Sequence, residues 1–178
     1  MSIVNIDGAL SLIRDIPDFP QPGIRFYDIT PLLGNPRAFE IVIQKMGDTK
    51  VQLDYVAGME ARGFIFASAI SNHKNVGFIP IRKSGKLPFE TFSESYGLEY
   101  GKDTLEIHQD ACSVGNSVLI VDDVLATGGT ACAAIKLIEK TGAKVAGLVF
   151  LLEIGFLNGR SRILDEFADI DIRSLKII

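Results

Sequence analysis

The chain has 178 residues, of which 47% are hydrophobic and 22% are charged, and its formal net charge is −4. This balance excludes a disordered chain and predicts one α/β domain over residues 1–178, while the acidic charge argues against a nucleic-acid partner. Two cysteines and two histidines are present without the spacing of a metal site, so we expect no protein metal centre and a reducing compartment.

The first part of the chain predicts a helix and then an irregular segment. Residues 3–16 have apolar positions at helical spacing, but they lack the basic start of a signal peptide and the length of a membrane span. We therefore expect a cytoplasmic protein without a membrane partner. The following residues are too rich in proline and glycine for regular structure. Asn35 followed by Pro36 then marks the start of a helix.

From residue 53 onward, strands alternate with helices, which predicts an α/β fold with a mainly parallel sheet flanked by helices. Residues 84–109 interrupt this alternation as a polar segment with two short strands, and their glycines suit a segment that moves. Continuous apolar runs elsewhere predict buried parallel strands. Because ligands bind at the carboxyl ends of such strands, the residues that follow them are the candidates for a site.

A turn with two glycines and two threonines follows the apolar run SVLIVDD and precedes a helix. It has neither the lysine of a P-loop nor the glycine spacing of a dinucleotide fingerprint. The N–H groups of a helix start suit a phosphate, while Asp122 and Asp123, expected to be exposed at the strand end, suit sugar hydroxyl groups. The alternative is an ordinary helix start with capping threonines. The predicted phosphate contacts are Ala126, Thr127, Gly128, Gly129 and Thr130.

The segment VLIVDDVLATGGT resembles the phosphoribosyl pyrophosphate motif of the type I phosphoribosyltransferase family. In that family the two acids bind the ribose hydroxyl groups and the turn binds the 5-phosphate. The segments IPDFPQPGIRFYDITPLL, GMEARGFIF, IRKSGKLP and YGLEYGKDTLEIH are similar, in this order, to segments of family members that act on adenine. The resemblance implies the type I phosphoribosyltransferase fold, a homodimer, and transfer of a phosphoribosyl group from phosphoribosyl pyrophosphate to adenine, which gives AMP and pyrophosphate.

Basic residues are the candidates for binding the pyrophosphate group. Arg62 follows a strand-end turn and can bind a diphosphate bidentately, and a dense basic cluster follows the next strand. The cluster consists of Arg82, Lys83 and Lys86, and its alternative interpretation is a solvated loop. Asp122 and Asp123 would also oppose the positive charge that develops at C1 of the sugar. Mg²⁺ is expected to bind mainly through phosphoribosyl pyrophosphate, since it needs few protein ligands.

The resemblance also assigns residues to the purine. Residues 1–35 would face adenine, which would lie between Phe26 and Ile154 while backbone groups near Arg25 read its edge. The alternative for both apolar residues is ordinary core packing. Many relatives carry arginine where this chain has Tyr27, so the contact made by that arginine is in doubt here.

The resemblance also implies that residues 84–109 form a small flexible hood, and it assigns two residues of this hood. Glu99 would act as a catalytic residue by exchanging a proton with the purine, and Tyr100 would close over the sugar. The alternative for Glu99 is a solvated acid in a mobile loop.

Two other functions use the same residues. A phosphoribosyltransferase for a 6-oxopurine tends to carry a lysine that meets the exocyclic oxygen, and the segment LLEIGFLNGR contains none. A regulatory protein would bind the ligand without catalysis, and it would not need Arg62, the basic cluster or Glu99. We therefore expect a transferase that acts on adenine.

Overall fold

The computed structural model describes residues 4–98 and 101–178, and the chain divides into two compact units. The N-terminal unit ends at Asp48, and the larger unit comprises Thr49–Ile178. No helix within the described ranges combines the length and the apolar character that crossing a membrane requires.

The N-terminal unit contains short helices and a two-stranded antiparallel sheet. Its elements are α1 (Ile6–Leu10), β1 (Arg14–Ile16), β2 (Phe26–Asp28), α2 (Thr30–Leu33) and α3 (Pro36–Met46). Helix α3 begins as predicted, because the side chain of Asn35 accepts a hydrogen bond from the N–H of Ala38 at 3.0 Å. The apolar faces of α1 and α3 pack together and bury Ala9, Leu10, Ala38, Val42, Ile43 and Met46.

The prediction of one helix over residues 3–16 is wrong in part. The helix ends at Leu10, and Arg14–Ile16 pairs with Phe26–Asp28 as an antiparallel strand. Ile16 precedes a proline, which disfavours helical backbone at this position and explains the extended conformation. The segment predicted to be irregular therefore contains β2 and α2, because strand pairing with β1 supplies order that its composition does not indicate.

The larger unit is built on a seven-stranded sheet with the order β5-β6-β4-β3-β7-β8-β9. Its strands are β3 (Tyr55–Met59), β4 (Gly77–Lys83), β5 (Thr91–Leu98), β6 (Gly101–His108), β7 (Ser117–Leu125), β8 (Lys144–Glu153) and β9 (Ile172–Ile177). Its helices are α4 (Gly63–Lys74), α5 (Gly129–Lys140) and α6 (Gly159–Glu166), and a 3-10 helix spans Gly155–Leu157. Five neighbouring strands, from β4 to β9, are parallel, which confirms the predicted fold class.

The sheet changes its direction of growth between β3 and β7. Helix α4 leads from β3 to β4 on one side, whereas α5 leads from β7 to β8 on the other. Gly58 of β3 pairs with Pro80 of β4 and with Val121 of β7, so the carboxyl ends of these strands lie at the same edge. Such a topological switch point opens a crevice between the two outgoing loops. The loops here are residues 60–62 and 126–128.

The core of the larger unit lies around β7, β8 and α5. Val118–Val121 are all buried, as expected for a parallel strand covered on both faces. Helix α5 buries Ala131, Cys132, Ala134, Ile135, Leu137 and Ile138. Cys112 and Cys132 are buried and unpaired. This packing fixes β7 and the start of α5 as one rigid element.

The two strands predicted in residues 84–109 form an antiparallel hairpin. Its pairs run from Thr91 opposite His108 to Leu98 opposite Gly101. The ammonium group of Lys140 in α5 joins β5 to that helix, through Ser93 O at 2.7 Å and the Glu94 carboxylate at 2.8 Å.

Candidate active site

Asp122 and Asp123 lie inside β7, because this strand continues to Leu125. The Asp123 side chain is only 7% exposed and Asp122 is partly buried, so the prediction that both acids are exposed is wrong. The first turn of α4 lies against Asp122. A Cβ atom placed on Gly63 would lie 2.8 Å from Asp122 Oδ1, which shows how closely the backbone of α4 approaches.

Arg62 is the residue that balances the charge of these acids. Its Nε lies 2.7 Å from Asp123 Oδ2, a close ion pair, although no described residue donates a geometrically aligned hydrogen bond to this oxygen. The N–H of Asp123 donates to Asp122 Oδ1 at 2.9 Å. Arg62 stands at the N-cap of α4, so the two acids face the loop after β3 across the switch point.

Burial changes the titration of both acids. It raises the pKa of Asp122 well above its usual range, and the neighbouring Asp123 carboxylate raises it further. Burial also raises the pKa of Asp123, although the Arg62 guanidinium opposes this shift. The two groups lie close enough to titrate as a pair. The two carboxyl groups therefore lie close together in buried surroundings that favour their neutral forms.

The turn after β7 presents backbone to its surroundings. Gly128 is the N-cap of α5 with φ of +80°, and no side chain caps the helix. The alternative of an ordinary helix start with capping threonines is therefore wrong. The first N–H groups of α5 have no partner within the helix and can bind an anion. Thr127 is exposed and Thr130 is partly buried, so both hydroxyl groups stand beside these amides.

A small cavity of about 60 Å³ joins the turn to Asp122. Met59 and Phe150 form part of its apolar wall. Asp122 lines it together with four of the five predicted phosphate contacts, namely Ala126, Thr127, Gly128 and Thr130. Gly129 is buried behind them. The structure thus brings one carboxylate and the turn to a common space, as the sequence predicted, while Asp123 is turned to Arg62.

In the predicted basic cluster, Arg82 and Lys83 are the last residues of β4 and Lys86 follows the strand. Acids already pair with two of these residues. Arg82 contacts the Glu60 carboxylate at 3.2 and 3.3 Å, and its guanidinium lowers the pKa of Glu60. The Lys83 ammonium lies 3.0 Å from Asp103 in the hairpin, which raises the pKa of Lys83 and lowers that of Asp103. Among the described residues, Lys86 forms no ion pair within 4 Å. The alternative of a simple solvated loop does not describe Arg82 or Lys83.

Glu60 and Asp103 are functional candidates that sequence reasoning missed. Glu60 also accepts a hydrogen bond from the N–H of Lys83 at 3.1 Å, so it fixes the end of β4. The pairings span 20 residues or more in the chain, and no local pattern indicates them. The one signal was position, since Glu60 follows β3 directly, as a strand-end candidate would.

The hairpin contacts the turn through Tyr96. Its hydroxyl group donates to Asp103 at 3.1 Å and also hydrogen bonds with Thr130. Glu99 and Tyr100, assigned to proton exchange and to closing over the sugar, lie outside the described residues.

The predicted adenine contacts divide between the two units. Arg25 is exposed and pairs with Asp15 at 3.3 Å, while the Phe26 ring packs edge-to-face on Phe19 at 5.2 Å between centroids. Tyr27 lies opposite Asp15 in the β1–β2 ladder. The N-terminal unit therefore orders this segment by its own contacts.

In the larger unit, Ile154 directly follows β8, and its N–H donates to Leu125 O at 2.8 Å. The preceding Glu153 is buried, and Arg160 of α6 binds its carboxylate with two hydrogen bonds of 2.6 and 3.0 Å. Ser174 of β9 donates to the same carboxylate at 2.6 Å. Arg160 lowers the pKa of Glu153, so the acid is charged and fully bonded. Sequence reasoning missed this network, which fixes the start of the Ile154 segment.

No group of three or more histidine, cysteine or acidic side chains within residues 4–98 and 101–178 is arranged to hold a metal ion. The carboxylate that lines the cavity is that of Asp122, whereas Oδ2 of Asp123 already has the cationic Arg62 as its neighbour.

The fold and this edge of the sheet match a known family. The family model for the phosphoribosyl transferase domain matches residues 34–176. The chain therefore belongs to the phosphoribosyltransferase family.

Within this family, the chain is similar to proteins that act on one purine base. It is 52% identical over 168 residues to the adenine phosphoribosyltransferase of Thermobifida fusca, covering 93% of each chain. The crystal structure of the adenine phosphoribosyltransferase from Thermoanaerobacter pseudethanolicus superposes with a TM-score of 0.90 at 46% identity, covering 98% of this chain and 100% of the other. The Saccharomyces cerevisiae enzyme, complexed with an imino-altritol bisphosphate and adenine, gives 0.85 at 38% identity, covering 94% and 97%. The resemblance found in the sequence is confirmed.

Proposed function

We propose that this protein transfers the 5-phosphoribosyl group from phosphoribosyl pyrophosphate to adenine and so produces AMP and pyrophosphate in purine salvage. One observation carries the proposal: a carboxylate of β7 and the amide turn before α5 share one cavity at the switch point of the sheet. A sugar phosphate needs both kinds of group in one site, because N–H donors suit its phosphate and a carboxylate suits its ring hydroxyls. The 52% identity to an adenine phosphoribosyltransferase supports the choice of purine.

The turn would bind the 5-phosphate of the substrate. The ligand would receive hydrogen bonds from the N–H groups of residues 127–130 and from the hydroxyl groups of Thr127 and Thr130. Charge-assisted hydrogen bonds of this kind are worth roughly 1.5–3 kcal/mol each. Because the amides belong to the rigid start of α5, they need little reorganisation when the ligand arrives.

The acids would bind the sugar and stabilise the transition state. The C1–O bond to pyrophosphate breaks and the C1–N9 bond to adenine forms, with positive charge on C1 and the ring oxygen in between. Asp122 would accept hydrogen bonds from ring hydroxyls, and Asp123 would add its charge from the Arg62 pair. Burial strengthens both effects, since a buried carboxylate is less screened by water than an exposed one.

Basic residues would receive the leaving pyrophosphate. Arg62, Arg82 and Lys83 are already paired with Asp123, Glu60 and Asp103, respectively. Binding of a diphosphate would therefore exchange one anionic partner for another, and Lys86 would add a charge that is not paired in this way. Mg²⁺, held mainly by diphosphate and sugar oxygens of the substrate, would neutralise negative charge as pyrophosphate departs.

Arg25, Phe26 and Ile154 would contact adenine, and Glu99 would accept the N9 proton as the new bond forms. Tyr100 would exclude water from the sugar. These roles follow from the family resemblance. A homodimer and a cytoplasmic location remain predictions from the sequence, and light scattering of the purified protein measures the first.

A steady-state assay with phosphoribosyl pyrophosphate, Mg²⁺ and one purine at a time tests the proposal. Adenine is expected to support pyrophosphate release faster than hypoxanthine or guanine. Faster use of hypoxanthine would identify a 6-oxopurine transferase instead. Binding of phosphoribosyl pyrophosphate without any release in the presence of adenine would favour a regulatory protein.

A further inference from the structure

The start of α6 packs directly against the phosphate-binding turn. Gly159, the first residue of α6, is buried. A Cβ atom placed on it would overlap with the carbonyl oxygen of Ala126 and lie 2.9 Å from the nitrogen of Gly128. Both approaches are too close for any side chain. The residue at 159 must therefore be glycine if the turn is to keep its present position.

Gly128 of the turn is equally close to Gly159. A Cβ atom on Gly128 would lie 2.6 Å from the carbonyl oxygen of Gly159. Two glycines that are distant in sequence thus bring their backbones together, and neither strand pairing nor a hydrogen-bond network explains why the chain has glycine at 159. The contact therefore fixes the distance between the turn and the start of α6.

The start of α6 cannot simply move aside. Arg160 binds the buried carboxylate of Glu153 and donates to the carbonyl oxygen of Ile172 at 2.8 Å, so it joins α6 to β8 and β9. A side chain at 159 would therefore displace the turn rather than the helix.

We propose that Gly159 is a positioning residue for the 5-phosphate of the substrate, acting through the backbone of residues 126–128. The inference rests on the proposed function, because it assigns a phosphate to that turn. It extends the site to the start of α6, outside the segment that carries the sequence motif.

The test compares Gly159→Ala with Gly155→Ala. The control lies in the same segment, and its new Cβ would meet Ile177 Cγ2 at 3.1 Å but no atom of the turn. Binding of ribose 5-phosphate is measured by calorimetry, and KM is measured for each substrate with the other saturating. We expect Gly159→Ala to weaken ribose 5-phosphate binding by about 10- to 100-fold, because a shift of the turn by a fraction of an ångström misaligns several amides at once.

The Gly159→Ala variant should also raise the KM for phosphoribosyl pyrophosphate and leave the KM for adenine within about twofold of wild type, a split that general loss of structure would not produce. Equal ribose 5-phosphate affinities of the two alanine variants would overturn the inference. A wild-type protein that binds no ribose 5-phosphate and releases no pyrophosphate would instead overturn the proposed function.

A second measurement uses the wild-type chain and serves if Gly159→Ala does not fold. Addition of ribose 5-phosphate should slow amide hydrogen exchange at residues 126–130 and also at 159–162, although the latter touch no ligand in this proposal. Protection of the turn alone would contradict a coupling through Gly159.

Discussion

In the proposed function, the two sides of the site would bind anions by different means. On the β7–α5 side, the turn offers backbone N–H groups held by the packing of Gly128 against Gly159. On the β3–β4 side, Arg62 and Arg82 offer side-chain charges that acids already balance. The first side is preorganised by sterics, whereas the second is a set of ion pairs whose members can change partner.

In the proposed reaction, this difference would distinguish the group that stays bound, the 5-phosphate, from the group that leaves, pyrophosphate. A 5-phosphate stays on the same sugar throughout the reaction, so a rigid backbone cradle suits it. Pyrophosphate must leave, and in the proposed reaction the cations would release it because Asp123, Glu60 and Asp103 would pair with them again. Four changes, from the largest expected effect to the smallest, test this comparison.

Neutralising the acid pair should have the largest effect. Asp122→Asn and Asp123→Asn are each expected to lower kcat by about 10²–10³-fold, because an electrostatic contact to the transition state is lost. Their melting temperatures should be equal to or above that of wild type, since burial raises the pKa of both acids and folding therefore opposes their ionisation. Steady-state assays and thermal melts measure the two quantities. Wild-type turnover in either variant would remove that residue from the mechanism.

Removal of the Arg62 guanidinium should have the second-largest effect. Arg62→Ala is expected to lower kcat/KM for phosphoribosyl pyrophosphate by about 10- to 100-fold, the equivalent of one charged hydrogen-bond pair. Arg37→Ala is the control, because Arg37 is also an exposed arginine in an ion pair, with Glu40, and is not among the predicted contacts. An equal loss in both variants would point to a general electrostatic effect.

The pH dependence should distinguish activity from stability. The acids act as carboxylates in the proposed reaction, so kcat/KM should fall about tenfold per pH unit below an apparent pKa that lies above the ordinary aspartate range. Stability follows the opposite sign: the raised pKa values of Asp122 and Asp123 contribute stability at low pH that is lost as pH rises through them. Asp122→Asn should reduce both dependences. An unchanged acid limb in this variant would assign the titration to another group.

The hairpin contact should give the smallest effect. Asp103→Asn keeps the shape of the side chain but frees Lys83, so the KM for phosphoribosyl pyrophosphate should fall by about two- to fivefold, in line with the strength of exposed ion pairs. Glu94→Gln removes the other described hairpin ion pair, with Lys140, and should leave this KM unchanged. A higher KM in Asp103→Asn would mean that Asp103 orients Lys83 instead of competing for it.

The two sides also differ in how far the sequence predicts them. The strand–turn–helix around residues 117–140 is local, so hydrophobic runs and two glycines predict both its structure and its chemistry. Pairings such as Arg82 with Glu60 and Lys83 with Asp103 depend on which strand ends become neighbours. The burial of Asp123 was missed for the same reason, because its partner Arg62 comes from the loop after β3, whose position depends on the tertiary fold.

The N-terminal unit teaches a related lesson. Asn35 and Pro36 predict a helix start correctly, since a cap is decided within four residues. The helix predicted over residues 3–16 fails where Arg14–Ile16 finds a strand partner, which no local pattern indicates.

The two buried thiols can report how often the larger unit opens transiently. Cys132 lies in the first turns of α5, where burial and the neighbouring Glu166 carboxylate raise its pKa to about 11. The reactive thiolate is therefore scarce at neutral pH in the closed molecule, and burial also raises the pKa of Cys112. A disulfide reagent would modify only molecules that have transiently exposed these groups. With a reagent that releases a coloured product, the rate of colour formation would then measure how often the packing around the start of α5 opens, without any engineered label.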